Sequence, residues 1–284
     1  MRLAVITINF NGSQSTVGLI KSLARQTDKD FEIIVIDNAS EEADFNHLEE
    51  GIENVIQQDS ERVFLLRNEK NSGFSGGNNI GIKKALNLPA GGGVDWVILL
   101  NNDTWVEEGF IASLKAKLGQ SEGIVGIPLN EGDYTAYCGK LEWLKPTLRH
   151  IYNPVYSEVL VRNSGYYAIG GAMAIHKDVL RKIGLMDEKY FLYFEDADIS
   201  LRAKKAGFKL AFLEEPKVRH QVSSTTKKLG SPLLLRYHYR NSLYFNFKNG
   251  PGHIKFFVWP WSLWVAVKQL LKIMMMCCCI GSWC

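Results

Sequence analysis

The stretch FEIIVIDNAS, residues 31–40, sets four consecutive aliphatic residues, Ile33 to Ile36, against an abrupt polar end: Asp37, Asn38 and Ser40. A strand that is apolar on both faces is buried on both faces, which is the mark of a parallel sheet covered by helices. The same pattern recurs. RLAVITIN (2–9), RVFLLRN (62–68) and VDWVILL (94–100) read as three more strands, with GIVGIP (123–128) as a fifth. Between them lie helical stretches: one with Val17, Ile20, Leu23 and Ala24 at helical spacing, an acidic one over 41–50, one around 79–88, and VEEGFIASLKAKL at 106–118. Strands and helices in alternation give an α/β fold with a single, mostly parallel sheet and flanking helices.

Farther along, residues 129–164 lose this regularity, with a weak strand near SEVLVRN (157–163). YYAIGGAMAIH (166–176) reads as a strand and KDVLRKIG (177–184) as a short helix. Glu195, Asp196 and Asp198 open a helix that runs to Gly207; FKLAFLEEPKVRHQV (208–222) supplies two short strands, and LLLRYHYRNSLYFNFKN (233–249) is a basic, aromatic helix. No repeat appears. The expected organisation is a catalytic domain over 1–229 and a C-terminal helical appendage over 230–284, made of the basic aromatic helix and a hydrophobic, membrane-associating tail.

At 284 residues, 46% hydrophobic and 22% charged, the chain can bury a large core, which excludes global disorder. The net charge of +3 hides a split: residues 1–199 hold 28 acidic and 19 basic side chains, and residues 200–284 hold 2 and 14. A basic end on an acidic body points to an anionic partner. The run IKFFVWPWSLWVAVKQLLKIMMMCCCIGSWC (254–284) sets Trp and Phe among Lys255, Lys268 and Lys272, which favours a membrane surface over nucleic acid. Those lysines and Pro260 make it a poor spanning helix. MRLAVITINF has no signal-peptide pattern, so the expected location is cytoplasmic, peripheral on the inner face of the membrane. Cys138 stands in the body and Cys277, Cys278, Cys279 and Cys284 in the tail, an arrangement that reads as free thiols and not as a disulfide framework.

Ligands of open parallel sheets gather outside the carboxyl ends of the strands. Here those ends read INFNG, IDNAS, RNEKNSGFSGGNN and LLNNDT, so Asn, Asp and Gly converge on one rim suited to ribose, base edges and phosphate. Asp37 is free to accept from a ribose hydroxyl or base N–H if Ser40 caps the next helix. Ser72, Gly73, Gly76 and Gly77 precede a helix and allow backbone N–H groups to approach a phosphate. Their spacing matches neither G-x-G-x-x-G nor the P-loop, which argues against a dinucleotide oxidoreductase or a P-loop NTPase. Asp103 is the carboxylate placed to hold Mg²⁺ or Mn²⁺ against a diphosphate. Asp198 and Arg202, at i and i+4, pair structurally, which leaves Glu195 and Asp196 for chemistry: a carboxylate between a helix N-terminus and aromatic neighbours suits a general base. His220 stands at a strand end as a candidate metal ligand.

VITINFNG, VIDNAS, NSGFSGGNNIGI, LLNNDT and FLYFEDADISLRAKKAG, in this order, resemble family 2 of the inverting GT-A glycosyltransferases, and most closely its rhamnosyltransferase-like branch. The resemblance covers about residues 1–250. It implies a GT-A fold and a hexosyltransferase using a dTDP- or UDP-linked sugar, dTDP-rhamnose at the branch level, with a cell-surface glycan or lipid-linked saccharide as acceptor. It implies that Asn9 and Phe10 flank the base, that Asp37 holds base or ribose, and that Gly73, Asn78, Asn79 and Asn102 face the diphosphate or donor sugar. Asp103 occupies the metal position of D-x-D, with Asn101 replacing its first Asp, and His220 completes the metal site. Asp196, paired with Glu195, is the catalytic base, Gly170 and Gly171 shape the acceptor side, and YHYRNSLYF matches a Tyr-rich Arg-Asn segment near the family's C-terminal end. Two other classes remain open at this stage. A non-catalytic sugar-nucleotide scaffold fits the incomplete D-x-D. A sugar nucleotidyltransferase would need a basic Gly-rich loop after strand one, and NFNGSQST has no Lys or Arg.

Overall fold

A computed structural model describes residues 1–59, 62–88, 93–119, 123–145, 148–154, 165–220 and 232–280, with side chains for all of these but 58, 59, 232, 233 and 269–280. The first half alternates as the apolar runs require: β1 (Leu3–Asn9), α1 (Ser13–Ala24), β2 (Phe31–Asp37), α2 (Glu42–Asp59), β3 (Val63–Arg67), α3 (Gly73–Leu86), β4 (Trp96–Leu100), β5 (Thr104–Trp105), α4 (Phe110–Leu118) and β6 (Gly123–Gly126). Short strands follow: β7 (Leu129–Asn130), β8 (Thr135–Ala136), β9 (Cys138–Lys140), β10 (Arg149–Ile151) and β11 (Tyr166–Tyr167). The chain then forms β12 (Ala172–His176), α5 (Lys177–Ile183), α6 (Glu195–Lys205), β13 (Lys209–Phe212), β14 (Val218–His220), α7 (Pro232–Asn249) and α8 (Gly252–Ile280).

Seven strands form one sheet in the order β13-β6-β12-β4-β1-β2-β3. All neighbours run parallel except β12, which is antiparallel to both β4 and β6. Two smaller sheets flank it, β10-β9-β11 and β5-β14-β7-β8. Successive strand residues feed opposite cores, as the period of two demands. Leu3, Val5, Ile33 and Val35 pack with α1, α2 and α4; Ala4, Ile6, Ile34 and Ile36 pack with α3, α5 and α6.

Several expectations shift. α2 runs to Asp59 and not to residue 50, and α4 begins at Phe110, behind Gly109 at φ 82°. YYAIGGAMAIH divides into β11 and β12, and Gly170 and Gly171 make the crossing between two sheets. The stretch at 157–163 lies outside the described residues, as does the expected boundary at 229. α7 is no loose appendage in its packing: Phe245 is buried with Tyr190, Phe194, Ala197, Leu141 and Tyr167. α8 continues through Pro260. Among the described residues, no helix is long and apolar enough to cross a membrane. Cys138 is buried, and burial pushes its thiol up to about 12, so it is inert.

The largest correction concerns the glycines after β3. They do not form a loop ahead of a helix; they are its first turns, since α3 starts at Gly73. A side chain at Gly77 would meet Ile8 Cδ1 at 2.9 Å and one at Gly81 would meet Ile6 Cγ2 at 2.5 Å. The small residues let the helix lie close on β1. This outweighs the low helix propensity of glycine, about 1 kcal/mol per residue against alanine.

Candidate active site

The rim seen in the sequence is largely a buried supporting layer. Asn9 is fully buried; its Nδ2 lies 2.9 Å from Asp37 Oδ1, 3.0 Å from Ser40 Oγ and 2.9 Å from Asp44 Oδ2, and its Oδ1 accepts from Thr16 Oγ1 at 2.8 Å. Asp37 is fully buried as well: it also accepts from the Ser40 N–H at 3.2 Å and lies 3.8 Å from Arg67 Nε. Ser40 therefore does not free Asp37, since its own N–H is held by that carboxylate. Phe10 is the exception, 50% exposed at the end of β1 and open to stack on a flat ring. Asn102 donates to Thr16 Oγ1 at 3.0 Å, which ties the loop after β4 to the first turn of α1.

Two of the backbone N–H groups expected to cradle phosphate, those of Ser72 and Gly73, are occupied, as is that of Phe74. Ser72 N donates to Asn38 Oδ1 at 3.1 Å, Gly73 N to Asn71 Oδ1 at 2.9 Å, and Phe74 N to the Phe191 carbonyl at 2.6 Å. Gly73 adopts φ 71°, and a Cβ there would lie 2.3 Å from the Phe191 oxygen, so glycine is needed for this close approach. Asn79 bonds within the fold: its amide donates to the Met186 carbonyl and to Glu188 Oε1, both at 2.9 Å, and its oxygen accepts from Met186 N at 3.0 Å. Asn78 is buried and donates to the Phe74 carbonyl at 3.0 Å. Asn38 is the organiser that the strand-end reading did not single out. It accepts from Asn68, Ser72 N and Ser72 Oγ, donates to Asn71 and Gly73, and so fixes the whole 68–73 loop.

What the structure does bring together is the end of β4, the Gly170–Gly171 crossing and the start of α6. Gly170 N donates to Asp196 Oδ2 at 3.0 Å, and the Gly171 carbonyl accepts from Asn101 N at 3.0 Å. Two adjacent glycines thus link the acidic pair to the 101–103 loop. A Cβ at Gly170 would lie 3.2 Å from Asp196 Cβ, and one at Gly171 would lie 3.0 Å from Asn101 Nδ2, so both positions are kept bare by their neighbours. On the other side of that loop, β14 pairs with β5 so that His220 lies opposite Thr104. This sets His220 Nε2 3.1 Å from Asp103 Oδ1.

Asp196 and Glu195 sit in the first turn of α6, where the helix dipole favours a carboxylate. Burial wins nonetheless: desolvation raises the Asp196 carboxyl above its ordinary range, against the N–H groups of Gly170 and Ala197 and the nearby His150, which pull it down. Glu195 is pushed well up by burial and by Asp196 beside it, and its Oε2 has no hydrogen-bond partner. Desolvation pulls His220 down, but Asp103 and Glu131 more than offset it and the ring is raised. Asp198 has the structural role its spacing predicts. It is fully buried, 2.7 Å from Arg202 Nε, 2.9 Å from Lys248 Nζ and 2.7 Å from Asn249 Nδ2.

The approach to Asp196 is strained. Phe191, Tyr193 and Phe194 hold φ of 56°, 71° and 77°, left-handed values that cost about 1–2 kcal/mol per non-glycine residue. Asn241 of α7 holds them: its Nδ2 lies 2.6, 2.7 and 3.1 Å from the carbonyls of Tyr190, Leu192 and Tyr193. The segment YHYRNSLYF thus serves the site through its asparagine.

A family match bears on this arrangement: the description Glycosyl transferase family 2 fits residues 4–184, from β1 to the end of α5. The chain belongs to glycosyl transferase family 2. The dTDP-rhamnosyl transferase RfbF of Shigella flexneri is 24% identical over 199 residues, 67% of this chain and 65% of that protein, so the chain spans just under two thirds of that relative's length. An N-acetylglucosaminyl-diphospho-decaprenol L-rhamnosyltransferase of Mycobacterium tuberculosis is 22% identical over 258 residues, 83% of this chain and 81% of that protein. In fold, the chain is similar to the mannosyltransferase PcManGT of Pyrobaculum calidifontis, solved with GDP-Man and Mn²⁺ (TM-score 0.60, 15% identity, 96% of this chain and 75% of that one). It is also similar to S. aureus TarS 1–349, solved with UDP-GlcNAc (TM-score 0.57, 14% identity, 88% of this chain and 68% of that one). The expected GT-A-type α/β fold is thereby met.

The residues fit a divalent cation in part. Asp103 and His220 offer one hard oxygen and one imidazole nitrogen at 3.1 Å from each other. Among the described residues, no group of three or more His, Cys, Asp or Glu gathers as a metal site. Asp103 and His220 are the described residues that would hold such an ion.

Proposed function

We propose that this glycosyltransferase moves a hexose, rhamnose from dTDP-rhamnose being the first donor to test, from a nucleotide diphosphate to a hydroxyl of a surface glycan or lipid-linked saccharide, with inversion. The observation that supports the reading is the Gly170–Gly171 link, whose main chain bonds the buried Asp196 carboxylate at one glycine and Asn101, in the loop that carries Asp103, at the other. The acceptor oxygen attacks the anomeric carbon from the Asp196 side as the bond from that carbon to the diphosphate oxygen breaks. Asp196 takes the hydroxyl proton. Glu195, protonated, keeps a second negative charge from forming next to the base. Phe10 stacks on the nucleotide base, while Asn9, Asp37 and Asn102 brace the floor beneath it. Asp103 and His220 would hold Mg²⁺ or Mn²⁺, which when bound neutralises charge on the departing diphosphate.

The rhamnosyl donor is supported by the two relatives named as rhamnosyltransferases. A lipid-linked acceptor accords with α8. Phe256, Trp259, Leu263 and Trp264 of this helix are 58–74% exposed, and Lys268 lies 4.9 Å from the Trp264 ring, a composition that suits the interface of an anionic membrane. On this reading residues 1–229 are the catalytic domain, α7 the brace of its site, and α8 a peripheral anchor to the cytoplasmic face.

The test is a screen of dTDP-, UDP- and GDP-linked sugars for thermal stabilisation with and without Mg²⁺ or Mn²⁺, followed by turnover with the best binder. A metal-dependent shift with one donor, followed by inverted product, is the expected result. Stabilisation by none of them, in either condition, would refute the proposal.

A further inference from the structure

A cluster of side chains next to His220 is left unused by this mechanism. β7 runs parallel to β14, with Leu129 opposite Val218 and Asn130 opposite Arg219, so the residue that follows, Glu131, emerges beside His220. A tight turn, closed by Glu131 N donating to the Tyr134 carbonyl at 2.7 Å with Gly132 at φ 85°, brings Tyr134 over the same face. From the other direction β10 pairs with β9, and β9 with β11, which leads into Gly170 and Gly171. The two routes meet where His150 Nδ1 lies 3.5 Å from Glu131 Oε1 and the Tyr152 hydroxyl 3.4 Å from Glu131 Oε2. The rings of Tyr134 and Tyr152 lie 5.7 Å apart, and the two residues are 65% and 47% exposed.

We propose that Tyr134 and Tyr152, with Glu131 and His150 at their edge, form a stacking platform for a sugar ring of the acceptor. The chemistry matches a neutral saccharide: C–H faces pack on exposed aromatic rings, while hydroxyls need acceptors and donors at the rim. Glu131 supplies the acceptor. His150 beside it, outweighing partial burial, holds its carboxyl below the usual range. Its position favours acceptor over donor. Phe10 follows β1, on the β1–β3 half of the large sheet taken as the nucleotide side, whereas the platform's strands connect to the other half: β7 follows β6, and β11 leads into β12. Its reach into the centre is electrostatic at both ends: Glu131 bears on His220, and His150 on Asp196. The platform rests on the transfer reading above for the name of its occupant.

The experiment is saturation-transfer NMR of the full chain with methyl β-D-N-acetylglucosaminide and methyl α-L-rhamnoside, alongside the nucleotide-sugar thermal shift. Saturation of the ring protons of at least one glycoside is expected in the wild type. It should drop at least fivefold in Tyr134→Ala and Tyr152→Ala and stay within twofold in Tyr152→Phe, with the thermal shift by the donor unchanged in all three. Equal saturation in wild type and Tyr152→Ala, or none from either glycoside in the wild type, overturns the platform. A wild type that binds a glycoside on these tyrosines but no nucleotide sugar overturns the transfer reading and leaves the platform standing.

Discussion

Removing the amide of Asn241 tests how the strained turn before Asp196 is held. Asn241 is fully buried and its two amide hydrogens serve three main-chain carbonyls, at 2.6, 2.7 and 3.1 Å. Asn241→Ala leaves at least two of those oxygens without a donor, at about 1–3 kcal/mol each if nothing relaxes. The turn has a reason to relax, since Phe191, Tyr193 and Phe194 hold left-handed backbone values. At about 1–2 kcal/mol each, that strain is of the same size as the lost bonds. The two effects oppose each other in global stability, so the net loss should be modest, about 1–3 kcal/mol by urea titration. In geometry they act together, since both move the turn that leads into Asp196. A displacement near 1 Å costs on the order of 100-fold in rate. Single-turnover transfer with a saturating donor should therefore slow by about 30- to 100-fold, while donor-induced thermal stabilisation persists because Asn241 touches no part of the Phe10 side. A variant that transfers within threefold of wild type would refute the claim that this asparagine sets the position of the base.

Two further outcomes follow from the buried charges. Asp198→Ala removes the buried carboxylate shared by Arg202 and Lys248, while Lys248 keeps Asp187 and Arg202 keeps the carbonyls of Ile183 and Leu185, so denaturation should show a loss of about 3 kcal/mol, the low end for a broken buried pair; a change under 1 kcal/mol would contradict the structural role given to it. For Asp196, the folded state keeps a proton that the unfolded state releases, because burial raises its pKa from 3.8. Stability must therefore fall as pH rises from the ordinary carboxylate range through the raised value, and the full penalty stands above it. Asp196→Asn should melt higher than wild type at pH 8, with the difference vanishing below about pH 3, where both forms are neutral; a variant less stable than wild type at pH 8 would contradict the desolvation argument.

Much of the scaffold was readable because it rests on strictly local patterns. Ile33 to Ile36 and Val97 to Leu100 are apolar on both faces, and only a covered sheet accepts that. The Asp198–Arg202 pair followed from helical spacing alone. The direction of β12 was not readable, because an apolar strand carries no mark of which way its neighbours run. Nor was the start of α3, where Gly73, Gly76 and Gly77 look like a loop by propensity yet are helical, with Ser72 crowding Gly76 and Ile8 crowding Gly77. At the site, Asp196 and Asp103 stood out in the sequence as carboxylates at a helix start and after a strand end. Asn79 and Asp37 stood out too, as polar residues beside apolar runs, but their bonds to Met186, Glu188 and Asn9, distant in sequence, were not readable from it. Asn38 and Asn241 had no local signal for the opposite reason, since what they hold is main chain far along the sequence.

The most direct measurement of the account is transfer by Asp196→Asn against wild type, with donor binding read in the same preparation. The amide keeps the shape and an acceptor for Gly170 N but has no basicity, so the rate should fall by about 100- to 10,000-fold while the donor's thermal shift is unchanged. Transfer within tenfold of wild type would show that the acceptor's proton goes elsewhere.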